Sequence, residues 1–172
     1  MSTSVQVRHE RHGDEDAIAR LNDEAFGQRT ESRIIAAVRQ AGRAAISLVA
    51  VDDSAIVGHI LFTPVTIDSP GPQISALGLG PMAVLPEFQR RGIGSRLVEA
   101  GLDACGLTPC QVVAVIGHPE YYPRFGFRPG VTYGLRSEFA VPEDVFMIAE
   151  LTADALKGRK GIVRYTPEFR ME

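Results

Sequence analysis

The chain has 172 residues, which is enough for a buried core and is most simply one domain. A hydrophobic share of 45% and a charged share of 23% are typical of an ordinary globular protein. The net charge of −3 argues against nucleic acid as the main partner. No apolar run reaches the length of a membrane span, and residues 1–6 turn polar at once. We therefore expect no membrane partner, no signal peptide and a cytoplasmic location.

The amino-terminal residues predict a strand followed by two helices. Residues 5–8 read as a short strand, and residues 14–26 carry apolar side chains at a helical period. Acidic residues in the first turn support that helix. A second helix is expected to extend to Ala41, with Thr30 as its cap.

The next part of the chain predicts a β-hairpin and then an irregular stretch. Residues 47–51 and 55–62 are apolar runs around a tight polar turn, which is typical of a hairpin. Residues 63–72 contain several prolines and are expected to leave the sheet.

The centre of the chain predicts a parallel crossover. Residues 76–85 and 110–116 are strand-like, and residues 95–105 between them are helix-like. Pro81 lies inside the first strand and has no N–H for the ladder, so we expect it at a sheet edge or at a bulge. A bulge there would open a slot in the sheet. The two cysteines, Cys105 and Cys110, have no metal-ligand spacing and are expected to be reduced thiols.

The last third of the chain gives weaker signals. A short helix is expected over residues 119–125, where it opens on a proline. Residues 146–151 and 161–165 predict strands, and residues 153–156 between them predict a short helix.

The start of the central helix is the most informative feature of the sequence. Gln89-Arg90-Arg91-Gly92-Ile93-Gly94 leads into it without Ser, Thr, Asp or Asn as a cap. The first N–H groups and the positive end of the helix dipole then face whatever binds there. The two glycines allow close approach to the backbone, and the arginines add charge. This combination predicts a phosphate or pyrophosphate site.

These residues resemble the acetyl-CoA signature of the GCN5-related N-acetyltransferases (GNAT). The signature is Gln or Arg, two variable residues, Gly, one variable residue, then Gly or Ala, and it is met at Gln89, Gly92 and Gly94. A second feature of the family is a Tyr shortly before Gly-Phe, which residues 122–127 match. The combination is most similar to a bacterial subgroup of predicted acetyltransferases.

The resemblance implies an α/β fold of the GNAT-like acyl-CoA N-acyltransferase type. Its central sheet is mixed, carries helices on both faces and is splayed between the fourth and fifth strands. Residues 1–172 would form a single N-acetyltransferase domain. The implied cosubstrate is acetyl-CoA, no metal is implied, and a homodimer is left open.

The resemblance also implies roles for individual residues. The backbone of Met82, Ala83 and Val84 would pair with the pantetheine arm. The pyrophosphate would be held by the backbone N–H groups of Arg91, Gly92, Ile93, Gly94 and Ser95. Arg90 and Arg91 would reach its phosphates, and Gln89 would be a cofactor-binding residue as the first of the signature. Tyr122 would be the general acid that protonates the departing thiolate, since a phenol pKa near 10 is not far from a thiol pKa near 8.5. Arg124 would contact a CoA phosphate or cap its own short helix.

The general base and the acceptor are not determined by the sequence. His59, His118, Glu120 and water are open as bases, and Glu24 is a weaker option. The acceptor is expected to be an amine of a small molecule or of a protein. A non-catalytic acyl-CoA sensor is the alternative, and it would not need Tyr122. A dinucleotide-binding oxidoreductase is disfavoured, because the complete Gly-x-Gly-x-x-Gly fingerprint is absent.

Overall fold

The structure is a computed structural model that describes residues 5–170. The expectation of no signal peptide rests partly on residues 1–4, which lie outside the described residues. Three α-helices are present in the described residues: α1 (Glu15–Phe26), α2 (Thr30–Gln40) and α3 (Ile93–Gly106). The strands in the same residues are β1 (Gln6–His9), β2 (Ile46–Asp52), β3 (Ala55–Asp68), β4 (Ala76–Val84), β5 (Val112–Ile116), β6 (Arg128–Pro129), β7 (Leu135–Ser137), β8 (Phe146–Glu150) and β9 (Gly161–Arg164).

The nine strands of the described residues form a mixed sheet, which confirms the expected α/β class. Among these residues, no helix combines the length and the apolar character that crossing a membrane requires. The chain divides into two compact units. The first contains Met1–Phe62, Pro81–Ala104 and Pro167–Glu172, and the second contains Thr63–Gly80 and Cys105–Thr166.

The first unit is built on the antiparallel strands β1, β2 and the first half of β3. The predicted hairpin between β2 and β3 is confirmed, with Asp53 and Ser54 at φ of 45° and 72°, as a tight two-residue turn requires. The apolar sides of α1 and α2 pack on these strands, as their helical period predicts. The shared core consists of Ile18, Ile34, Ile35, Val38, Val49 and Leu61.

In the same unit α3 approaches β3 closely, because glycines lie at the contact. A β-carbon on Gly101 would be 2.4 Å from the Phe62 ring. On the strand side, a β-carbon on Gly58 would be 3.0 Å from Leu97 Cδ1. The two missing side chains let α3 lie against the backbone of β3.

The second unit contains the first half of β4, which pairs in parallel with β5. β5 pairs with β8 and β8 with β6, both antiparallel. The second half of β3 pairs antiparallel with β9, and β9 pairs in parallel with β7. The buried core residues of this unit are Val65, Ile67, Ile74, Ala76, Val112, Ala114, Leu135, Phe146, Ile148, Leu156 and Val163.

The splay predicted between the fourth and fifth strands is visible in the register. β4 pairs with β5 from Ala76 to Leu79, opposite Val112 to Val115, and continues to Val84 beyond the last of these pairs. Gly80 has a φ of 142°, a conformation that favours glycine, and it directly precedes Pro81. The sheet is therefore irregular at the position where the missing N–H of proline predicted a bulge.

Three predictions of local structure are wrong. Residues 63–68 do not leave the sheet but continue β3, because Val65 and Ile67 alternate inward with exposed Pro64, Thr66 and Asp68. Thr30 is the first residue of α2 rather than its cap, and Arg29 precedes it without a capping side chain. Residues 153–156 form turns and no helix.

Candidate functional site

The start of α3 presents a row of backbone donors. Five consecutive N–H groups donate no hydrogen bond within residues 5–170, namely those of Arg90, Arg91, Gly92, Ile93 and Gly94. The first helical bond runs from the N–H of Arg96 to the carbonyl of Gly92, at 3.1 Å. The first turn of α3 contains no acidic residue. The entrance is therefore positive and open, which is the arrangement that binds phosphate groups.

The backbone of the entrance loop is held in a strained shape. Arg90 has a φ of 64° and Gly92 a φ of 79°, so both are left-handed. For an arginine this conformation costs about 1 kcal/mol. A β-carbon on Gly92 would meet no atom within 4 Å, so the space beside this residue is open.

Side chains at the two ends of the loop stabilise it. Gln89 Nε2 donates to the carbonyl of Val84 at 3.0 Å, which ties the loop back to the end of β4. The Arg91 guanidinium stacks over the Phe88 ring at 5.1 Å. Gln89, predicted as a cofactor-binding residue, thus positions the loop, and its amide also occupies the Val84 carbonyl. The backbone of Met82 and Ala83 is left as the better candidate for pairing with an extended ligand.

Tyr122 lies in the second unit, in the short helix Tyr122–Phe125. Its ring packs on the backbone at the end of β5, because a β-carbon on Gly117 would be 2.5 Å from Tyr122 Cε2. Edge-on contacts with Tyr121 at 5.1 Å and Phe127 at 5.7 Å fix the ring. Within the described residues the hydroxyl has no hydrogen-bond partner. Packing alone therefore holds the ring, and the hydroxyl is available to a ligand.

Burial raises the pKa of Tyr122 to about 12, with a smaller contribution from Tyr121. The phenol therefore remains protonated at neutral pH, as a proton donor must. It is also a weaker acid than an ordinary tyrosine. Complete proton transfer from Tyr122 to a thiolate is therefore less favourable than the ordinary phenol pKa near 10 predicts. A shared proton or a strong hydrogen bond suits this group better than a free phenolate.

Arg124 acts on its own segment. Its Nε donates to the carbonyl of Tyr121 at 3.0 Å, and its guanidinium lies over the Tyr121 ring at 4.7 Å. Of the two roles predicted for Arg124, these contacts match the cap of the short helix. The two tyrosines therefore have different surroundings. Arg124 lies over the Tyr121 ring, whereas the Tyr122 ring packs against Gly117 and Phe127.

His59 is fully buried and belongs to a chain of polar groups in the first unit. Arg39 donates two hydrogen bonds to Glu10, at 2.9 and 3.2 Å. Ser47 donates to Glu10 at 2.8 Å, and its oxygen lies 2.9 Å from His59 Nε2. Because the serine hydroxyl donates to the carboxylate, it accepts from Nε2–H, and Nδ1 is the bare nitrogen. Nδ1 has no partner in the described part of the chain.

Burial lowers the pKa of His59 to about 4, and the charge of Glu10 opposes this shift only in part. The folded protein therefore holds a neutral imidazole. The contribution of the neutral His59 to the free energy of unfolding is complete above the unfolded-state pKa of about 6.5. It is lost as the pH falls towards 4. With an exposed fraction of 0%, the His59 ring is out of reach of an amine substrate in this structure.

The other predicted bases lie at the surface. His118 and Glu120 are exposed in the turn after β5. Glu24 is exposed on α1 and lines a cleft of about 480 Å³ together with Arg20 and Ser54.

The structure also brings together residues that the sequence analysis did not consider. Glu138, directly after β7, accepts a hydrogen bond from the backbone N–H of Tyr165, 27 residues further along. Pairing between β7 and β9 causes this contact. Because the final third carries only short strands, no local pattern indicates it.

Comparison with known proteins identifies the family. Residues 6–130 match the family described as an acetyltransferase (GNAT) domain. The chain belongs to the GNAT acetyltransferase family. The resemblance read from the signature residues is confirmed, and so is the expectation of an acyltransferase.

Curated relatives of this GNAT protein are N-acetyltransferases by name. The uncharacterized N-acetyltransferase YjhQ of Escherichia coli K12 is 37% identical over 153 residues, which are 83% of this chain and 82% of that protein. The uncharacterized N-acetyltransferase YhbS of the same strain is 31% identical over 157 residues, which are 91% of this chain and 93% of that protein.

Solved GNAT structures share the fold. The E. coli YhbS crystal structure in complex with CoA matches with a TM-score of 0.93 and 30% identity, over 99% of this chain and 94% of that one. A GNAT acetyltransferase of Brucella melitensis in complex with acetyl-CoA matches with a TM-score of 0.81 and 30% identity, over 98% and 99% of the two chains. Acetyl-CoA is the cosubstrate of the family, as expected.

Proposed function

We propose that this GNAT protein transfers an acetyl group from acetyl-CoA to an amine of a small molecule or of a protein. The observation that carries the proposal is the row of N–H groups at the start of α3 that have no acceptor among residues 5–170, in a loop with no acidic residue of its own. We also propose that residues 1–172 work as one domain, supported by relatives that match 91% of the chain.

The residues present fit acetyl-CoA. The N–H groups of residues 90–94 would hold its pyrophosphate, with Ser95 at the end of this row and Arg90 and Arg91 beside it. Met82 and Ala83, in the part of β4 beyond its pairing with β5, would pair with the pantetheine arm. When bound, acetyl-CoA supplies an activated acetyl thioester. Arg124 is proposed to support the site indirectly, because it shapes the segment that carries Tyr122.

Tyr122 is proposed as the group that donates a proton to the departing sulfur. Its hydroxyl is protonated at neutral pH and has no partner among the described residues. Such a donor typically contributes about 10² to 10⁴ in rate. The elevated pKa favours the lower end of that range.

Two measurements test the proposal. Acetyl-CoA should raise the melting temperature of the protein, since a ligand that binds only the folded state must stabilise it. Tyr122→Phe should lower kcat by about 100-fold while leaving acetyl-CoA affinity unchanged. Tyr121→Phe is the matched control and should change kcat by less than about threefold.

The outcomes separate the candidate functions. Absence of stabilisation by both CoA and acetyl-CoA would contradict the proposed activity altogether. Stabilisation with unchanged turnover in Tyr122→Phe would remove the role of Tyr122. Stabilisation without transfer to any amine would favour the non-catalytic sensor.

A cytoplasmic location is proposed on separate grounds. Cys105 and Cys110 are both free. Free thiols are the ordinary state of cysteines in reducing compartments.

A further inference from the structure

A cleft lies on the solvent-facing side of the paired strands β3, β9 and β7. Its volume is about 530 Å³, which is within the range of small-molecule sites. Its walls are the end of β3, the start of β7 and the start of β9. All of its lining residues belong to the second unit, and none is among the residues proposed to hold acetyl-CoA.

The pairing of these strands places charged residues side by side. Ile162 of β9 lies opposite Asp68 of β3 and opposite Arg136 of β7. Side chains opposite each other point to the same face of a sheet, so these three form one row. Lys160, two residues before Ile162, lines the same cleft. With strands about 4.8 Å apart and a rise of about 3.3 Å per residue, the α-carbons of Arg136 and Lys160 are about 8 Å apart.

Two cations of this cleft have no acidic partner among the described residues. Asp68 is already engaged, because Arg164 Nε donates to its carboxylate at 3.1 Å. Arg136 and Lys160 are exposed and form no ion pair or side-chain hydrogen bond within residues 5–170. Two positive charges at this spacing repel each other, so an anion that carries about two negative charges would be stabilised between them.

The floor of the cleft is backbone, because glycines lie where the strands meet. A β-carbon on Gly161 would collide with the carbonyl oxygen of Asp68. One on Gly134 would be 2.5 Å from the carbonyl oxygen of Arg159. The N–H of Gly161 donates to the carbonyl of Gly134 at 3.0 Å. The backbone that carries the two cations is therefore closely packed, and it holds their spacing before a ligand arrives.

One wall of the cleft is apolar. Val131 lines the cleft, and 51% of its surface is exposed. Ile162 lines it next to both cations and is partly exposed. A ligand that covers these two side chains removes apolar surface from water, which favours binding. The cleft therefore suits a ligand with a doubly charged head and an apolar body.

We propose that this cleft binds a small phosphate monoester, with Arg136 and Lys160 on the phosphate and Val131 against the apolar part. A phosphate monoester carries about −1.5 to −2 charges at neutral pH, which matches the two cations together. The planar guanidinium of Arg136 can bind two phosphate oxygens at once, and the Lys160 ammonium adds a point charge. A carboxylate carries a single charge and matches only one of them. This site is separate from the proposed acetyl transfer and does not depend on it.

The test is an NMR titration of the full-length protein with phenyl phosphate, followed through backbone amide shifts. The amides of Gly134 and Gly161 report on this cleft, and those of Gly92 and Gly94 report on the α3 entrance. We expect Gly134 and Gly161 to shift with a Kd of about 1 mM or below. Benzoate, with one charge, and inorganic phosphate, without an apolar part, should each bind this cleft about tenfold more weakly. Phenol, which is neutral, should not bind there.

Variants that remove one charge identify the side chains that hold the phosphate. We expect Arg136→Gln and Lys160→Gln each to weaken phenyl phosphate binding at this cleft about tenfold. The matched controls are Arg128→Gln and Lys157→Gln, which remove exposed cations that do not line the cleft. Both controls should bind within about twofold of wild type. Thermal melts check that all four variants are folded.

Four results would overturn the proposal. The first is no shift at Gly134 and Gly161 up to about 10 mM phenyl phosphate, whatever happens at the α3 entrance. The second is equal weakening by the control variants, which would indicate attraction to net charge rather than a site. The third and fourth are benzoate or inorganic phosphate binding as tightly as phenyl phosphate, which would contradict the doubly charged head or the apolar body. Because the titration contains no acetyl-CoA, none of these results bears on the proposed acetyl transfer.

Discussion

The starts of α1 and α3 are two helix entrances in the same unit, and their chemistry is opposite. At α1, Asp14 accepts from the backbone N–H of Arg11 at 2.7 Å, and Glu15 accepts from that of Gly13 at 2.8 Å. Arg8 pairs with Asp14 at 2.8 Å. At α3, five backbone N–H groups in succession have no acceptor within the described residues.

The arginines show the same contrast. Arg8 is neutralised by a carboxylate of the protein, whereas Arg90 and Arg91 form no ion pair within residues 5–170. At α1 the acids accept from N–H groups just before the helix, and their negative charge stabilises the positive end of the helix dipole. A helix start that is left bare loses that contribution and keeps its donors for an external anion.

Filling the entrance of α3 with a carboxylate should have the largest effect. We expect Gly92→Asp to weaken acetyl-CoA binding about 100-fold relative to Gly92→Asn, measured by isothermal titration calorimetry. The new side chain has room, because no atom lies within 4 Å of its β-carbon. Both variants share the cost of a left-handed residue at this position.

Gly92→Asn is therefore the matched control for charge. If both variants weaken acetyl-CoA binding equally, the effect is steric. The absence of an acidic residue at the α3 entrance would then have no importance for acetyl-CoA binding. Thermal melts of both variants check that the fold is retained.

Removing a carboxylate from the start of α1 should alter the stability of the fold and not the binding of acetyl-CoA. Asp14→Ala should lower the free energy of unfolding by about 1 kcal/mol, because it removes an ion pair and a backbone acceptor. Acetyl-CoA affinity should not change. Glu24→Ala, in the same helix but without a partner, is the control for the loss of a carboxylate.

The effect of Asp14→Ala should also depend on pH. The hydrogen bond from Arg8 holds the pKa of Asp14 below its ordinary value, and the Arg11 backbone N–H adds to this. The ion pair thus contributes fully above the unfolded-state pKa of about 4, and its contribution disappears as the pH falls through the folded value. Urea melts at several pH values should show the two proteins converging in acid.

Salt should produce the smallest effect. Between about 50 and about 300 mM NaCl, acetyl-CoA binding should weaken about threefold, because the charges at the α3 entrance are exposed to solvent and screened. Acetyl-pantetheine, which lacks the pyrophosphate, should show no such dependence. Equal salt dependence for both ligands would mean that the pyrophosphate of acetyl-CoA does not bind at the α3 entrance.

The fold and the α3 entrance could be predicted because their signals are local. The strand, helix and strand from β4 to β5 are long and apolar, and the missing cap is visible in six consecutive residues. Pro81 correctly indicated an irregular β4, since one absent N–H has the same consequence in any sheet.

The contacts of the final third of the chain could not be predicted, because long-range pairing creates them. β7 has three residues and β9 four, too few for a period to be visible. Glu138 meets Tyr165 only through the pairing of these strands. The alternation of apolar and polar side chains at residues 63–68 indicates that β3 continues beyond Phe62. The prolines in the same stretch favour a loop instead, and this indication is the wrong one.

Histidine also illustrates the limit of reading residue types. His59 was a reasonable candidate base from its place on a strand, yet it is fully buried and tied to Ser47. The partners that fix its tautomer, Glu10 and Ser47, come from β2 and from the residue after β1. No spacing in the sequence indicates that Glu10, Ser47 and His59 form one hydrogen-bonded group.

The donors at the α3 entrance are main-chain atoms, and this has an evolutionary consequence. Every residue except proline supplies the same N–H, so the proposed phosphate site should survive most changes of side chain there. Gly92 is the exception, because its left-handed backbone disfavours other residues. Sequence variation in this loop should therefore be tolerated more readily than the introduction of proline.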